Sequence, residues 1–276
     1  MNNRYETITS RNNPLIKWVA SLHDKKGRIS AKSFIAEGEK LCFEGFDASL
    51  PVTHCFIASS KSELYLPRVS KIVENDKYST LKIIVCDDSV FAKISTEKAP
   101  QGIIIVIKYL DFFSDMDIIY KEEFFLSEDE RAIVLCSVRD PSNLGSVIRS
   151  SVAFGTEHIV LTDDCADLYN PKTVRSAMGS LFRVKATRVK SLASFIDAAR
   201  QNGRCIFAAE LSDGAIPLNE VDAKATDCFI IGNEGHGIPS EISSLCDRSV
   251  YIPISKKTES LNASVAAAVF MWEQNK

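Results

Sequence analysis

Three stretches of this 276-residue chain carry residue types suited to chemistry rather than to packing alone. Gly232-Asn233-Glu234-Gly235-His236-Gly237-Ile238-Pro239 follows an apolar run, and Tyr251-Ile252-Pro253-Ile254 leads to Ser260-Leu261-Asn262-Ala263-Ser264. Upstream, Asp140-Pro141-Ser142-Asn143-Leu144-Gly145 leads to Arg149. Three closely spaced glycines after a strand permit positive φ and close approach of backbone to a ligand. Their spacing is neither that of a dinucleotide fingerprint nor that of a phosphate loop, so by itself the stretch is equally a ligand rim or a tight turn. Ser260, Asn262 and Asn143 each stand where a helix begins, and they suit helix caps whether or not they do chemistry. Arg149 is different: with Val147, Ile148 and Val152 around it in sequence, a charged guanidinium requires an anionic partner or a task.

Such loops need a scaffold that brings them to one edge. From Arg131 the pattern alternates: a strand over Ala132–Val138, a helix from about Asn143 to Phe154, a strand at His158–Leu161, and a helix around Pro171–Ser180. It continues with a helix over Leu192–Gln201, strands at Cys205–Ala209, Cys228–Ile231 and Val250–Ile254, and a closing Ala- and Val-rich helix over Leu261–Trp272. This rhythm predicts an α/β fold with a mostly parallel sheet covered on both faces, whose chemistry sits beyond the carboxyl ends of the strands. The first hundred residues predict a smaller α/β domain, with strands at Cys55–Ala58, Lys82–Cys86 and Gly102–Tyr109, the last apolar enough to be buried. The predicted division is 1–110, an acidic connector over 111–131, and a second domain over 132–276.

Composition sets the limits. Hydrophobic content of 45% and charged content of 25% are those of an ordinary globular protein. The start lacks an apolar leader, and no apolar run is long enough to span a bilayer, so a cytoplasmic protein without a membrane partner is expected. Eight scattered cysteines without a C-x-x-C pair read as reduced core residues, and the four histidines do not cluster with them, so no metal is expected. The net charge of -3 argues against a nucleic-acid partner, but its distribution is uneven. Arg11, Lys17, Lys25, Lys26 and Arg28 enrich the first forty residues, and 171–190 holds Lys172, Arg175, Arg183, Lys185, Arg188 and Lys190 without one acid. Two basic stretches separated by an acidic one fit phosphate contact at two places; the alternative is two solvated faces.

Taken together, Asn143-Leu144-Gly145 with Arg149, Gly232-Asn233-Glu234-Gly235 with Gly237, and Ile252-Pro253-Ile254 with Ser260-Leu261-Asn262-Ala263-Ser264 resemble the three signature motifs of the SpoU/TrmH family. Pro171-Lys172 with Arg175-Ser176-Ala177-Met178-Gly179 resembles a further family segment. Ser10–Lys17, Phe34–Gly38 and Gln101-Gly102 resemble the substrate-binding domain of its rRNA members. The resemblance implies an S-adenosylmethionine-dependent RNA ribose 2'-O-methyltransferase of the SPOUT superfamily with a trefoil-knotted catalytic domain. It also implies a homodimer that shares its RNA contacts between subunits, and an N-terminal domain resembling a ribosomal-protein fold. Carried over by position, Asn143, Arg149, Glu234, Ser260 and Asn262 match catalytic residues, and Gly232, Ile252 and Leu261 match cofactor contacts. Arg11, Lys17, Lys25, Lys26, Arg28, Lys172 and Arg175 are the expected RNA contacts. Ser142, Ala177 and Ala263 depart from common family residues, and His236 falls at a variable position. A tRNA substrate and a catalytically inactive RNA-binding protein are the alternatives.

Overall fold

The computed structural model describes residues 5–74, 76–110, 113–116 and 125–276. It divides into two units, Met1–Leu110 with Tyr169–Phe182, and Asp111–Leu168 with Arg183–Lys276.

The first unit runs β1 (Tyr5–Ile8), α1 (Pro14–Ser21), α2 (Lys25–Ala31), β2 (Ser33–Glu37), α3 (Glu39–Asp47), β3 (Val52–Ala58), α4 (Ser62–Val73), β4 (Lys82–Cys86), α5 (Asp88–Ile94) and β5 (Ile103–Lys108). Its sheet has the order β1-β4-β3-β5-β2 and is mixed: β1, β4 and β3 are parallel, and β5 is antiparallel to both β3 and β2. The run Ile103-Ile104-Ile105-Val106-Ile107 is wholly buried, as its continuous apolar pattern predicts. Each such side chain contributes about 1.5–3 kcal/mol relative to exposure. The family-like Glu37 and Gln101 bind local backbone: Glu37 accepts from the Thr96 amide at 2.8 Å, and Gln101 Oε1 accepts from the Glu39 amide at 2.6 Å, where α3 begins.

One expected RNA contact is corrected here. Arg28 is 1% exposed, and its guanidinium donates to the carbonyls of Leu22 at 2.8 Å and His23 at 2.7 Å. Carbonyls at a helix end have no partner within the helix, and Arg28 satisfies those that follow α1. Its charge is spent inside the fold and does not meet phosphate.

The second unit comprises β6 (Phe113–Met116), β7 (Ala132–Leu135), α6 (Pro141–Ala153) and β8 (His158–Thr162), then, after α7 (Pro171–Ala177), β9 (Lys185–Val189), α8 (Leu192–Gln201), β10 (Ile206–Ala209), β11 (Ile216–Pro217), β12 (Cys228–Ile231), α9 (Ser240–Ser243), β13 (Arg248–Tyr251) and α10 (Ala263–Gln274). Its eight strands lie in the order β11-β13-β10-β12-β7-β8-β9-β6, and every pairing is parallel. On one face Phe195, Ile196 and Ala199 of α8 pack on Val134, Val160, Ala208 and Ile230. On the other, α10 packs against α6 and β12, with Phe270 and Phe229 rings 4.9 Å apart.

Two boundaries differ from expectation. Residues 169–182, expected in the second domain, group with the first unit, where α7 covers β2 and Phe34 meets Tyr169 at a ring separation of 4.6 Å. The acidic connector lies partly outside the described residues, at 111, 112 and 117–124, but 113–116 is strand β6, hydrogen-bonded to β9. A strand edge left by β9 is thereby paired. No helix among the described residues is long and apolar enough to cross a membrane.

Candidate active site

Because every strand of the second sheet points the same way, the segments after β7, β10, β12 and β13 emerge at one edge. After β7, Asp140 caps α6: its Oδ1 accepts from the amides of Ser142 at 2.8 Å and Asn143 at 3.0 Å, with Pro141 in the first helical position. The sequence predicts this helix from about Asn143, with Asn143 a candidate cap, whereas it begins at Pro141. With Asp140 in that role, the Asn143 side chain is released to reach across the site.

After β12 the chain makes a tight turn in which Asn233 and Gly237 exchange backbone hydrogen bonds of 3.1 and 2.8 Å. Asn233 braces it twice, accepting from the Gly235 amide at 2.8 Å and donating to the Ser137 carbonyl at 2.9 Å. Gly232 is required by close approach: a Cβ there would stand 2.4 Å from the Gly237 carbonyl carbon. Glu234 projects at the exposed tip of this turn.

After β13, an exposed stretch leads to Asn262, the N-cap of α10, whose Oδ1 accepts from the Ser264 amide at 2.9 Å. The same side chain donates through Nδ2 to Asn143 Oδ1 at 3.0 Å, and Asn143 Nδ2 donates to Glu234 Oε1. Asn143 from the first turn of α6, Glu234 from the turn after β12 and Asn262 from the N-cap of α10 thus form one hydrogen-bonded row, in which Asn262 is also the helix cap. The amino ends of α6 and α10 meet here, which favours negative charge at this point.

Beside the row lies a cavity of about 280 Å³. Gly232, Ile252 and Leu261 all line it, as do Glu234 and Ser260. Ile231, Val250 and Phe270 add apolar wall, and Glu210 after β10 adds a carboxylate. Glu210 and Glu259 are not marked by the sequence motifs; the signal for Glu210 is its position at the carboxyl end of the apolar run Cys205–Ala209. At the neighbouring strand end, Arg139 donates to Asp164 at 2.7 Å and Thr162 donates to the same carboxylate at 2.7 Å. Burial alone would raise the Asp164 pKa, but these bonds with that of Ser137 hold it at about 2.

Arg149 does not join the row. It lies on the exposed side of α6 while Val147 and Ile148 are buried, and it does not line the cavity. Its apolar neighbours in sequence point away from it, which removes the argument for an internal partner. Arg11, Lys17, Lys25, Lys26, Lys172 and Arg175 are exposed, and Arg175 is ion-paired with Glu97. Lys172 and Arg175 belong to α7 and so to the first unit. All eight cysteines are free thiols. Burial pushes Cys86 and Cys246 up to about 12 and Cys205 and Cys228 to about 11, so none of these is a thiolate near neutral pH. Among the described residues no group of three His, Cys, Asp or Glu side chains suits a metal ion.

The chain is 29% identical over 265 residues to the 23S rRNA (guanosine(2553)-2'-O)-methyltransferase RlmP of Bacillus subtilis, covering 96% of this chain and 97% of that one. It is 28% identical to the 23S rRNA (uridine(2479)-2'-O)-methyltransferase of Streptomyces viridochromogenes, covering 96% of this chain and 90% of that one. The AdoMet-bound rRNA methyltransferase structure from Sinorhizobium meliloti superposes with a TM-score of 0.83 at 25% identity, over 99% of this chain and 98% of that one. Residues 13–105 match the MRM3-like substrate binding domain. With residues 130–272 matching the SpoU rRNA Methylase family, a span holding the whole hydrogen-bonded row and its cavity, this chain belongs to that family.

Proposed function

We propose that this protein transfers a methyl group from S-adenosylmethionine to a ribose 2'-hydroxyl of ribosomal RNA. The observation that carries this is Glu234, which belongs both to the row with Asn143 and Asn262 and to the wall of the cavity. The cavity suits the cofactor: Ile252, Leu261 and Phe270 offer apolar surface to adenine, and Glu210 offers a carboxylate to its cationic part. When bound, the cofactor supplies an electrophilic methyl group on a sulfonium. Gly232, Ile252 and Leu261 hold it, and Asn143, Glu234, Ser260 and Asn262 face the ribose. Alignment of the hydroxyl is the largest service such residues can give. The amino ends of α6 and α10 stabilise the charge that grows on the ribose oxygen. A guanidinium is not a proton acceptor near neutral pH, so Arg149 instead clasps the phosphate beside the target ribose. Arg11, Lys17, Lys25, Lys26, Lys172 and Arg175 supply further phosphate contacts.

The same reading gives the second unit the family's trefoil knot, with 252–262 as the segment that closes it; the return of the chain from β13, outside β10 and β12, to seat α10 on α6 supports this. The outer surface of α6 and α10 carries a groove lined by Phe154, Val265, Val269 and Trp272, with Val265 and Trp272 each 50% exposed. Such a patch fits a homodimer interface. The test of the reaction is a map of 2'-O-methylation over the rRNA of cells with and without this gene, with purified protein restoring the mark in vitro. One ribose is expected to lose and regain its methyl group. Incorporation into tRNA alone would overturn the rRNA assignment, and incorporation into no RNA would make this a binding protein.

A further inference from the structure

Among the described residues, the charged side chains in the wall of the cofactor cavity are Glu210, Glu234 and Glu259, with no lysine, arginine or histidine. Glu234 is engaged with Asn143, and Glu259 is exposed at the rim. Glu210 is a built feature. Ser243 of α9 and Ser249 of β13 both donate to its Oε1, the latter at 2.8 Å, and its backbone amide donates to the Val250 carbonyl at 3.0 Å. Among the described residues no group donates to Oε2. A carboxylate fixed in this way, half-buried beside Ile231, Val250, Ile252 and Phe270, acts more strongly on a nearby charge than one in open water.

This matters because the ligand changes charge during the reaction. S-adenosylmethionine carries a sulfonium and an ammonium against one carboxylate. When the ribose oxygen takes the methyl group it gives up its hydroxyl proton to solvent, and the electron pair of the broken carbon–sulfur bond returns to sulfur, leaving a thioether and a ligand with no net charge. We infer that Glu210, supported by Glu259, makes this cavity select the cationic cofactor over its neutral spent form, so that methyl transfer itself weakens the hold on the product. The inference rests on the cavity being the cofactor site.

Calorimetry on the full-length protein tests it with S-adenosylmethionine, S-adenosylhomocysteine and sinefungin, whose amine restores the positive charge without a transferable methyl group. Wild-type protein binds the two cationic ligands more tightly than S-adenosylhomocysteine. Glu210→Gln shrinks that preference by about fivefold, through weaker binding of the cationic pair and little change for the neutral one. Glu259→Gln, at an exposed position where folding is not at stake, shrinks it by about twofold. An unchanged preference in both variants overturns the inference while leaving the cavity assignment intact. Failure of all three ligands to bind wild-type protein overturns the assignment and the inference with it.

Discussion

Asn262 holds a helix end and a hydrogen-bonded row together. Its Oδ1 caps α10 and its Nδ2 reaches Asn143, so alanine would damage both functions without distinguishing them. Asn262→Ser separates them: serine still caps but is too short to reach Asn143. We expect its melting temperature to stay near that of wild type while methyl transfer falls by at least about tenfold, because alignment is lost; equal turnover would reduce Asn262 to a cap. Arg28 is the opposite case. Arg28→Ala strands one buried and one partly buried carbonyl and should cost about 1–3 kcal/mol of stability in urea unfolding. Neutralising Lys25 and Lys26 should leave stability alone and flatten the salt dependence of RNA binding. Sequence could not tell these three apart, because a basic run reads as surface until the helix end it satisfies is known. Asn143, Glu234 and Asn262 were legible as residues, but the bonds joining them, from positions far apart in the chain, were not.

At the scale of elements, what was legible depended on apolar continuity. Lys82–Cys86 and Cys228–Ile231 read as strands because their runs are unbroken, and they are β4 and β12 as expected. Tyr5–Ile8 and Lys185–Val189 are polar enough to pass unnoticed, yet they are β1 and β9, fixed by their neighbours rather than by their own pattern. At the amino-terminal edge of the second sheet, β7, β8 and β9 are tied by a buried polar group. Glu130 accepts from Lys185 at 2.7 Å and meets His158 Nδ1 at 3.3 Å, while His158 Nε2 meets Thr187 at 2.7 Å. Burial lowers the His158 pKa, and Glu130, which burial would raise, is held below its usual value chiefly by Lys185. Both shifts have the same sign in effect, since the unfolded chain binds more protons than the folded one as pH falls. Stability should therefore decline below about pH 6.5 through His158 and again below about 4.5 through Glu130. Melting curves from pH 4 to 8 check this: His158→Gln should reduce the first decline, leaving the share of His54, whose pKa burial also lowers, and should keep the second.

For the whole molecule, the place of Arg149 is the sharpest question. It is exposed and outside the row that holds Asn143, so a dimer that shares its sites would bring it to the ribose bound by the partner subunit. Mixing inactive Asn143→Ala and Arg149→Ala chains tests this. If the residues act across the interface, random exchange restores about a quarter of wild-type activity; if both act within one chain, the mixture stays inactive. The first unit takes Tyr169–Phe182 from beyond the middle of the chain, so its sheet lacks the cover of α7 until that segment exists. On the ribosome it must wait for roughly seventy residues after Leu110, a delay of roughly 4–15 s at ordinary synthesis rates. During that interval the part of β2 that α7 covers lies open in a nascent chain, while α2 and α3 already pack on the strand. An enzyme for ribosomal RNA would then depend, in its own birth, on the pace of the ribosome.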